Sequence, residues 1–129
     1  MVIVDTSIWI AFFNRQGSQE KVEVDCLLDK EEAMVVGPIL TELIQGTRSE
    51  KELRIIKDVL SVLPYVEMTK ATWELTGGIG LEFRRKGFTV ATVDLMIAAL
   101  AQEYGCAVYT LDSDFQRIPH LRLYTPTTY

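Results

Sequence analysis

Short apolar runs alternate with longer segments of mixed polarity along this chain of 129 residues. Residues 1–4 and 33–36 are continuous runs with β-branched side chains, which is typical of strands buried on both faces. Residues 106–111 predict a third such strand, residues 65–68 a brief one, and residues 121–124 a strand near an edge. The pattern predicts an α/β fold with a central, mainly parallel sheet of about four to five strands.

The segments between the first apolar runs have helical spacing. Residues 8–13 predict a short helix directly after the first strand. A more polar helix is predicted from residue 18 to residue 30, because apolar side chains recur there at helical intervals. Its predicted inward face carries Val22, Cys26 and Leu27.

Two further helices are predicted from their end signals. Pro38 follows the second strand and is tolerated at the first position of a helix. Ser49 and Glu52 have the spacing of a capping box, in which each side chain accepts a hydrogen bond from the other residue's backbone N–H. The helix that they begin is predicted to end before Pro64.

The last two helices complete the alternation of strands and helices. Residues 70–86 predict a helix that is weakened by glycines, each of which costs about 1 kcal/mol relative to alanine. These glycines are Gly77, Gly78 and Gly80. Residues 92–104 predict another helix, which Gly105 ends. The whole pattern predicts a three-layer α/β/α architecture in a single domain over residues 1–129.

Composition excludes several classes of protein. The chain has a single histidine, His120, and two widely separated cysteines, Cys26 and Cys106. One imidazole cannot form a histidine pair, and these cysteines lack the spacing of a zinc site. The longest apolar runs, residues 8–13 and 95–101, are far shorter than the roughly 20 residues of a membrane span. We therefore expect a cytoplasmic protein without a targeting segment or a membrane partner.

Acidic residues follow the predicted strands. Asp5 comes directly after the first strand, Glu42 lies one turn into the helix after the second, and Asp112 and Asp114 follow a late strand. Asp94 is at the start of the helix that leads back to that strand. Because ligands bind at the carboxyl ends of parallel strands, we expect these side chains to converge on one edge of the sheet.

Each acid also has an ordinary structural interpretation. Asp5 and Asp94 have positions that suit helix caps or first-turn acids, which the helix dipole favours. Asp112 and Asp114 fit an Asx turn, and Glu42 fits an exposed helix position. These interpretations explain the acids singly, but they do not require a shared edge, where carboxylates repel unless a cation offsets them.

The ligands available at this edge are oxygen atoms. Carboxylates without histidine or cysteine suit a hard divalent ion such as Mg²⁺ or Mn²⁺. Such an ion activates water and stabilises the leaving oxygen of a phosphodiester. This chemistry requires no histidine, which fits the composition of the chain.

Four motifs together resemble the PIN domain. They are Asp-Thr-Ser at residues 5–7, Leu-Thr-Glu-Leu at residues 40–43, residues 92–99 around Asp94, and residues 110–115 around Asp112. At this length the chain looks most like the toxin component of VapBC-type toxin–antitoxin pairs. The resemblance implies a metal-dependent endoribonuclease that acts on RNA, forms a homodimer and is inhibited by a cognate antitoxin protein.

The resemblance also implies a set of site residues. The catalytic and metal-binding residues would be Asp5, Glu42, Asp94 and Asp112. Asp114 would contact a second metal ion or would lie in the second coordination sphere of the first. Whether Asp114 or Asp112 is the fourth ligand stays open. Hydrogen bonds to these carboxylates or to metal-bound waters would come from Thr6, Ser7 and Thr110.

Charge and glycine patterns add two weaker signals. The net charge is −5, so RNA binding would depend on local cations. The one tight basic run contains Arg84, Arg85 and Lys86, which either contact RNA or form a solvated helix end. The glycines at residues 77–80 do not follow a strand, so no nucleotide cofactor is expected. A PIN-like binding module and a housekeeping PIN nuclease remain as alternatives to the toxin.

Overall fold

A parallel sheet of four short strands lies at the centre of the computed structural model, which describes residues 1–127. The strands are β1 (Val2–Val4), β2 (Ala33–Val36), β3 (Tyr65–Val66) and β4 (Ala107–Tyr109). Their spatial order is β3-β2-β1-β4, so β1 is central and pairs with both β2 and β4. Because both faces of β1 are covered, Ile3 and Val4 are completely buried. The predicted parallel α/β sheet is confirmed.

Helices flank this sheet and connect its strands. Within the described residues they are α1 (Thr6–Asn14), α2 (Gln19–Asp29), α3 (Gly37–Gln45), α4 (Glu50–Ser61), α5 (Lys70–Arg85) and α6 (Thr92–Tyr104). A short 3₁₀ helix, Ser113–Arg117, follows β4. None of the helices in this part of the chain has the length and apolarity needed to cross a membrane.

The glycines of α5 do not interrupt it. The helix begins with a capping box between Thr69 and Thr72, and it is continuous to Arg85. A Cβ atom added at Gly80 would lie 3.0 Å from the Cδ1 atom of Leu95 in α6. Glycine at this position therefore lets α5 and α6 approach closely within one chain.

The predicted edge strand at residues 121–124 is wrong as a regular strand. Leu123 forms an isolated parallel bridge with Val108, and the backbone N–H of Tyr124 donates to the Val108 carbonyl at 2.8 Å. The chain then turns towards α2, where the side chains of Tyr124 and Thr127 are hydrogen-bonded. Pairing with β4 is limited to one position because the segment is anchored away from the sheet.

The inward face of α2 differs from the predicted one. Leu27 is buried as expected, but Val22 is 45% exposed and the neighbouring Glu23 is completely buried. Glu23 Oε1 accepts hydrogen bonds from the Tyr124 hydroxyl at 2.5 Å and from the Thr127 backbone N–H and hydroxyl, each at 3.2 Å. The hydrogen bonds from the last described segment allow this position to hold a carboxylate instead of an apolar side chain.

Candidate functional site

The acidic site begins at Asp5, directly after the central strand. The Asp5 backbone N–H donates to the Tyr109 carbonyl at 2.9 Å, which fixes the end of β1 against β4. The Asp5 carbonyl accepts hydrogen bonds from Ile8 and Trp9 as α1 begins. Asp5 is only 7% exposed, and its side chain forms no cap hydrogen bond with α1. The carboxylate of Asp5 is therefore directed elsewhere than to the helix end.

Two hydroxyl groups hold the Asp5 carboxylate. The Thr110 hydroxyl donates to Asp5 Oδ2 at 2.7 Å, and the Ser7 hydroxyl donates to the same oxygen at 3.2 Å. Each hydroxyl oxygen also accepts a backbone hydrogen bond from the loop after β4. The Asp112 N–H donates to Thr110 Oγ1 at 2.9 Å, and the Leu111 N–H donates to Ser7 Oγ at 3.1 Å. The hydroxyls thus couple the position of Asp5 to that of the Asp112 loop.

Glu42 is connected to the same edge through α1. It lies in α3 with an exposed side chain, as the ordinary interpretation predicts. Its Oε1 atom accepts a hydrogen bond from the Thr6 hydroxyl at 2.8 Å. Because Thr6 is the first residue of α1 and follows Asp5, this bond holds the α3 carboxylate beside the end of β1.

The remaining three acids form the tightest cluster. Asp94, Asp112 and Asp114 each offer a carboxylate oxygen, and these oxygens lie within 4.8 Å of one another. Asp94 is in the first turn of α6. Asp112 caps the 3₁₀ helix, and its Oδ1 accepts the Asp114 N–H at 2.9 Å. The Asx-type turn is thus present, and it brings both carboxylates towards Asp94.

The electrostatics of Asp94 show that all five acids share one region. Burial is the largest effect and helps to raise the pKa of Asp94 from its ordinary value of 3.8 to about 6. The negative charges of Asp112 and Asp5 raise the pKa further, and those of Asp114 and Glu42 add smaller contributions. The convergence predicted from the chain order is therefore present in the fold.

This arrangement fits a hard divalent cation. Oxygen ligands of an octahedral Mg²⁺ bind at about 2.1 Å, so adjacent ligands are about 3 Å apart and opposite ligands about 4 Å apart. The oxygens of Asp94, Asp112 and Asp114 need only small side-chain movements from their present spacing to meet this condition. A bound cation would also offset the mutual repulsion that raises the pKa of Asp94.

Comparison with known families agrees with this geometry. The model of the PIN domain family matches residues 2–121, which include all five acids. The chain belongs to the PIN domain family. This PIN domain is 32% identical over 125 residues to ribonuclease VapC11 of Mycobacterium tuberculosis, with 94% of this chain and 93% of the relative covered.

Solved structures resemble the PIN domain over nearly its whole length. The structure of VapBC2 from Rickettsia felis, bound to a DNA fragment from the promoter, has a TM-score of 0.82 and 21% identity. It covers 96% of this chain and 98% of the solved chain. DNA-bound VapBC from Salmonella typhimurium has a TM-score of 0.81 and 27% identity, and covers 95% and 96% respectively.

The predicted basic residues of the PIN domain lie at the end of α5. Arg84, Arg85 and Lys86 are all exposed, as both interpretations of the run require. Lys86 also lines a cavity together with Phe88 and Arg117, two residues that belong to none of the predicted motifs. Phe88 and Arg117 are 29 positions apart, so no sequence motif indicates that they are close together in the fold.

Proposed function

We propose that this PIN domain is a Mg²⁺- or Mn²⁺-dependent endoribonuclease that hydrolyses phosphodiester bonds of RNA. The convergence of five carboxylates carries the proposal: burial and then the charges of the other four acids raise the pKa of Asp94 to about 6. The relatives named VapC ribonucleases support the reaction class. Carboxylate clusters of this kind act in phosphodiester hydrolysis by holding one or two divalent ions.

The chain supplies a set of oxygen ligands and the groups that orient them. The cation would be held by Asp5, Glu42, Asp94, Asp112 and Asp114. When bound, it supplies Lewis-acid stabilisation of the phosphate and makes water a better nucleophile. Thr110 and Ser7 orient Asp5, while Thr6 orients Glu42. Hydrogen bonds from neighbouring groups to the ligands keep the ligands in position for the metal.

We further propose that the protein is the toxin of a toxin–antitoxin pair. The solved neighbours named VapBC support a protein antitoxin as partner. A groove of about 470 Å³ suits such a partner, because apolar side chains of α1 and α4, including Ile10 and Ile56, line it. It extends to Glu42, so a protein bound there would reach the acidic site.

A homodimer is the oligomeric state that we propose. Trp73 and Leu81 are exposed apolar residues of α5, at 51% and 37% respectively. Gly77 lies between them at helical spacing, and a Cβ atom added there would meet no atom within 4 Å. Residues four apart share one face of a helix, so these positions form an open, partly apolar strip that suits a second copy.

Removal of the divalent ion tests the catalytic proposal. We expect a total RNA preparation to be cleaved with Mn²⁺, to remain intact with EDTA, and to be cleaved again when Mn²⁺ is restored. The Asp5→Asn variant is the matched control, because it should remain folded by circular dichroism but stay inactive with Mn²⁺. Cleavage that persists in EDTA would contradict metal dependence.

A catalytically silent binding module is the second candidate. It would leave every RNA intact in Mn²⁺ while still binding RNA or a protein. The exposure of Glu42, Asp112 and Asp114 favours the nuclease over this alternative, because a substrate can reach these acids.

A further inference from the structure

A second cavity lies between the end of α5 and the end of the 3₁₀ helix that follows β4. Its volume is about 280 Å³. It is lined by Glu82, Phe83, Lys86, Phe88, Arg117 and Pro119. Phe83 is buried, whereas Phe88 is 50% exposed. The cavity therefore combines a fixed apolar wall with an aromatic ring that is open to solvent.

Two cations accompany the exposed ring. The guanidinium carbon of Arg117 lies 5.9 Å from the centre of the Phe88 ring, within the range of a cation–π contact. Within residues 1–127 the ion pairs are Lys21–Asp25 and Lys70–Glu74, so neither Arg117 nor Lys86 has an acidic partner at ion-pair distance. Glu82 contributes one negative charge to the lining, which leaves a net positive charge.

The chain connects this cavity to the acidic site on two sides. Phe88 lies in the loop that leads into α6, whose first turn carries Asp94. Arg117 ends the 3₁₀ helix whose first turn carries Asp114. A 3₁₀ helix rises about 2 Å per residue, so the backbones of Asp114 and Arg117 are roughly 6 Å apart. A strand that extends from the acids along the 3₁₀ helix would reach Arg117, which contacts the Phe88 ring.

We propose that this cavity is a subsite for an unpaired nucleotide next to the cleaved bond, with its base on Phe88 and its phosphate near Lys86 and Arg117. The proposal rests on the proposed ribonuclease function and deepens it. Aromatic faces bordered by cations are the usual means of binding single-stranded RNA. A protein partner is less suited to this cavity, because stable protein interfaces bury roughly 800 Å² on each side. One half-exposed ring offers much less.

Direct binding of RNA tests this subsite without relying on cleavage. The probe is a fluorescein-labelled single-stranded oligo(A) of 12 nucleotides, and its anisotropy is measured with the full chain carrying Asp94→Asn. In this background Phe88→Ala should weaken affinity about 10-fold, as expected when a base loses its stacking partner. Phe88→Trp should retain affinity. The matched control is Tyr104→Ala, which removes another half-exposed aromatic residue and should change nothing.

Two further measurements separate the base from the phosphate. An abasic strand of equal length should bind the Asp94→Asn protein and its Phe88→Ala derivative equally, because neither complex contains a stacked base. Arg117→Gln should lower the slope of log affinity against log salt by about 0.7, the value for one phosphate contact to a single strand. The equivalent variant at exposed Lys30 should leave the slope unchanged.

The outcomes distinguish the subsite from the proposed function. Equal oligo(A) affinity for the Asp94→Asn protein and its Phe88→Ala derivative would overturn the subsite and leave the proposed ribonuclease function standing. A folded wild-type protein that neither binds nor cleaves total RNA with Mn²⁺ would overturn both proposals. Loss of affinity in Phe88→Ala, with equal binding of the abasic strand, would establish the stacked base.

Discussion

Carboxylates are placed in two contrasting environments in this molecule. Glu23 is completely buried in α2, and one of its oxygens accepts hydrogen bonds from Tyr124 and Thr127. At the sheet edge, Asp94 is only partly buried and its nearest charged neighbours are other acids. The first carboxylate is stabilised by uncharged donors, whereas the second is destabilised by like charges.

The difference separates a structural acid from a candidate functional one. Burial and the hydrogen bond to Glu23 raise the pKa of Tyr124 to about 12, so the donating hydroxyl keeps its proton well above neutral pH. Three uncharged donors reach one oxygen of Glu23 there. At the acidic site the chain provides hydroxyl donors to Asp5 and Glu42 but leaves the repulsion around Asp94 to be offset by a cation. Incomplete compensation is therefore the feature that indicates a metal site.

Asp94→Asn should produce the largest effect on the reaction. It removes a proposed metal ligand and should lower the cleavage rate at least 10²- to 10³-fold, about the loss caused by removing a transition-state stabiliser. The variant should remain folded, and without metal its melting temperature should not fall, because a repelled charge has been removed. Cleavage of a defined RNA and thermal denaturation measure both effects. Wild-type cleavage rates in this variant would contradict the assigned role.

Glu23→Ala should show the opposite behaviour. Loss of the buried acceptor should lower the free energy of unfolding by about 2 to 3 kcal/mol, because a buried donor is left unsatisfied. Tyr124→Phe is the matched variant and should cost about 1 kcal/mol, since one hydrogen bond is lost and the Thr127 bonds remain. Urea denaturation measures these changes.

Mn²⁺ affinity completes the test of Glu23. The Mn²⁺ affinity of the Glu23→Ala protein, measured at a low temperature at which the protein is folded, should stay within about twofold of the wild-type value. The reason is that Glu23 is outside the acidic cluster. A large loss of Mn²⁺ binding would show that the two carboxylate environments are not independent.

Thr110→Val should have an intermediate effect. The side chain keeps its size but loses the hydroxyl that donates to Asp5 and accepts from the Asp112 N–H. Removal of such an outer hydrogen bond typically lowers metal affinity or activity about 10- to 100-fold. Isothermal titration with Mn²⁺ measures the change, and Thr110→Ser should restore most of the affinity. Unchanged affinity in the valine variant would show that Asp5 needs no orientation.

The pH dependence should give the smallest effect. Because the folded-state pKa of Asp94 is about 6 against an ordinary value of 3.8, the folded state binds the proton more tightly between these values. The free energy of unfolding of the metal-free protein should therefore fall as pH rises through this window. Mn²⁺ affinity should rise over the same window, since the ion must displace the proton.

Titrations of stability and of Mn²⁺ affinity against pH measure both slopes. Asp94→Asn should remove the contribution of this group to each. A wild-type stability that instead rises between pH 4 and 6 to the same extent in both proteins would show that other groups dominate.

The main features of the fold and of the acid cluster follow from the order of residues. Continuous apolar runs such as Ala33–Val36 specify strands covered on both faces, and strand-helix alternation specifies parallel pairing. Parallel pairing places all carboxyl ends at one edge, so the gathering of Asp5, Glu42 and Asp94 was predictable. The extent of the strands was harder to predict. Residues 121–124 have the composition of a strand, but a hydrogen bond from Tyr124 to α2 holds this segment away from the sheet.

What the sequence determined by itself is the periodic pattern, the parallel sheet and the acids at the strand ends, because these depend on local spacing and on a single topological rule. Tertiary structure alone decided that Glu23, not Val22, is buried in α2, because its donor Tyr124 is 101 residues away. It also decided that Arg117 lies over the ring of Phe88, from which it is distant along the chain. Contacts between distant residues depend on how the packed layers meet, and no short pattern along the chain encodes that geometry.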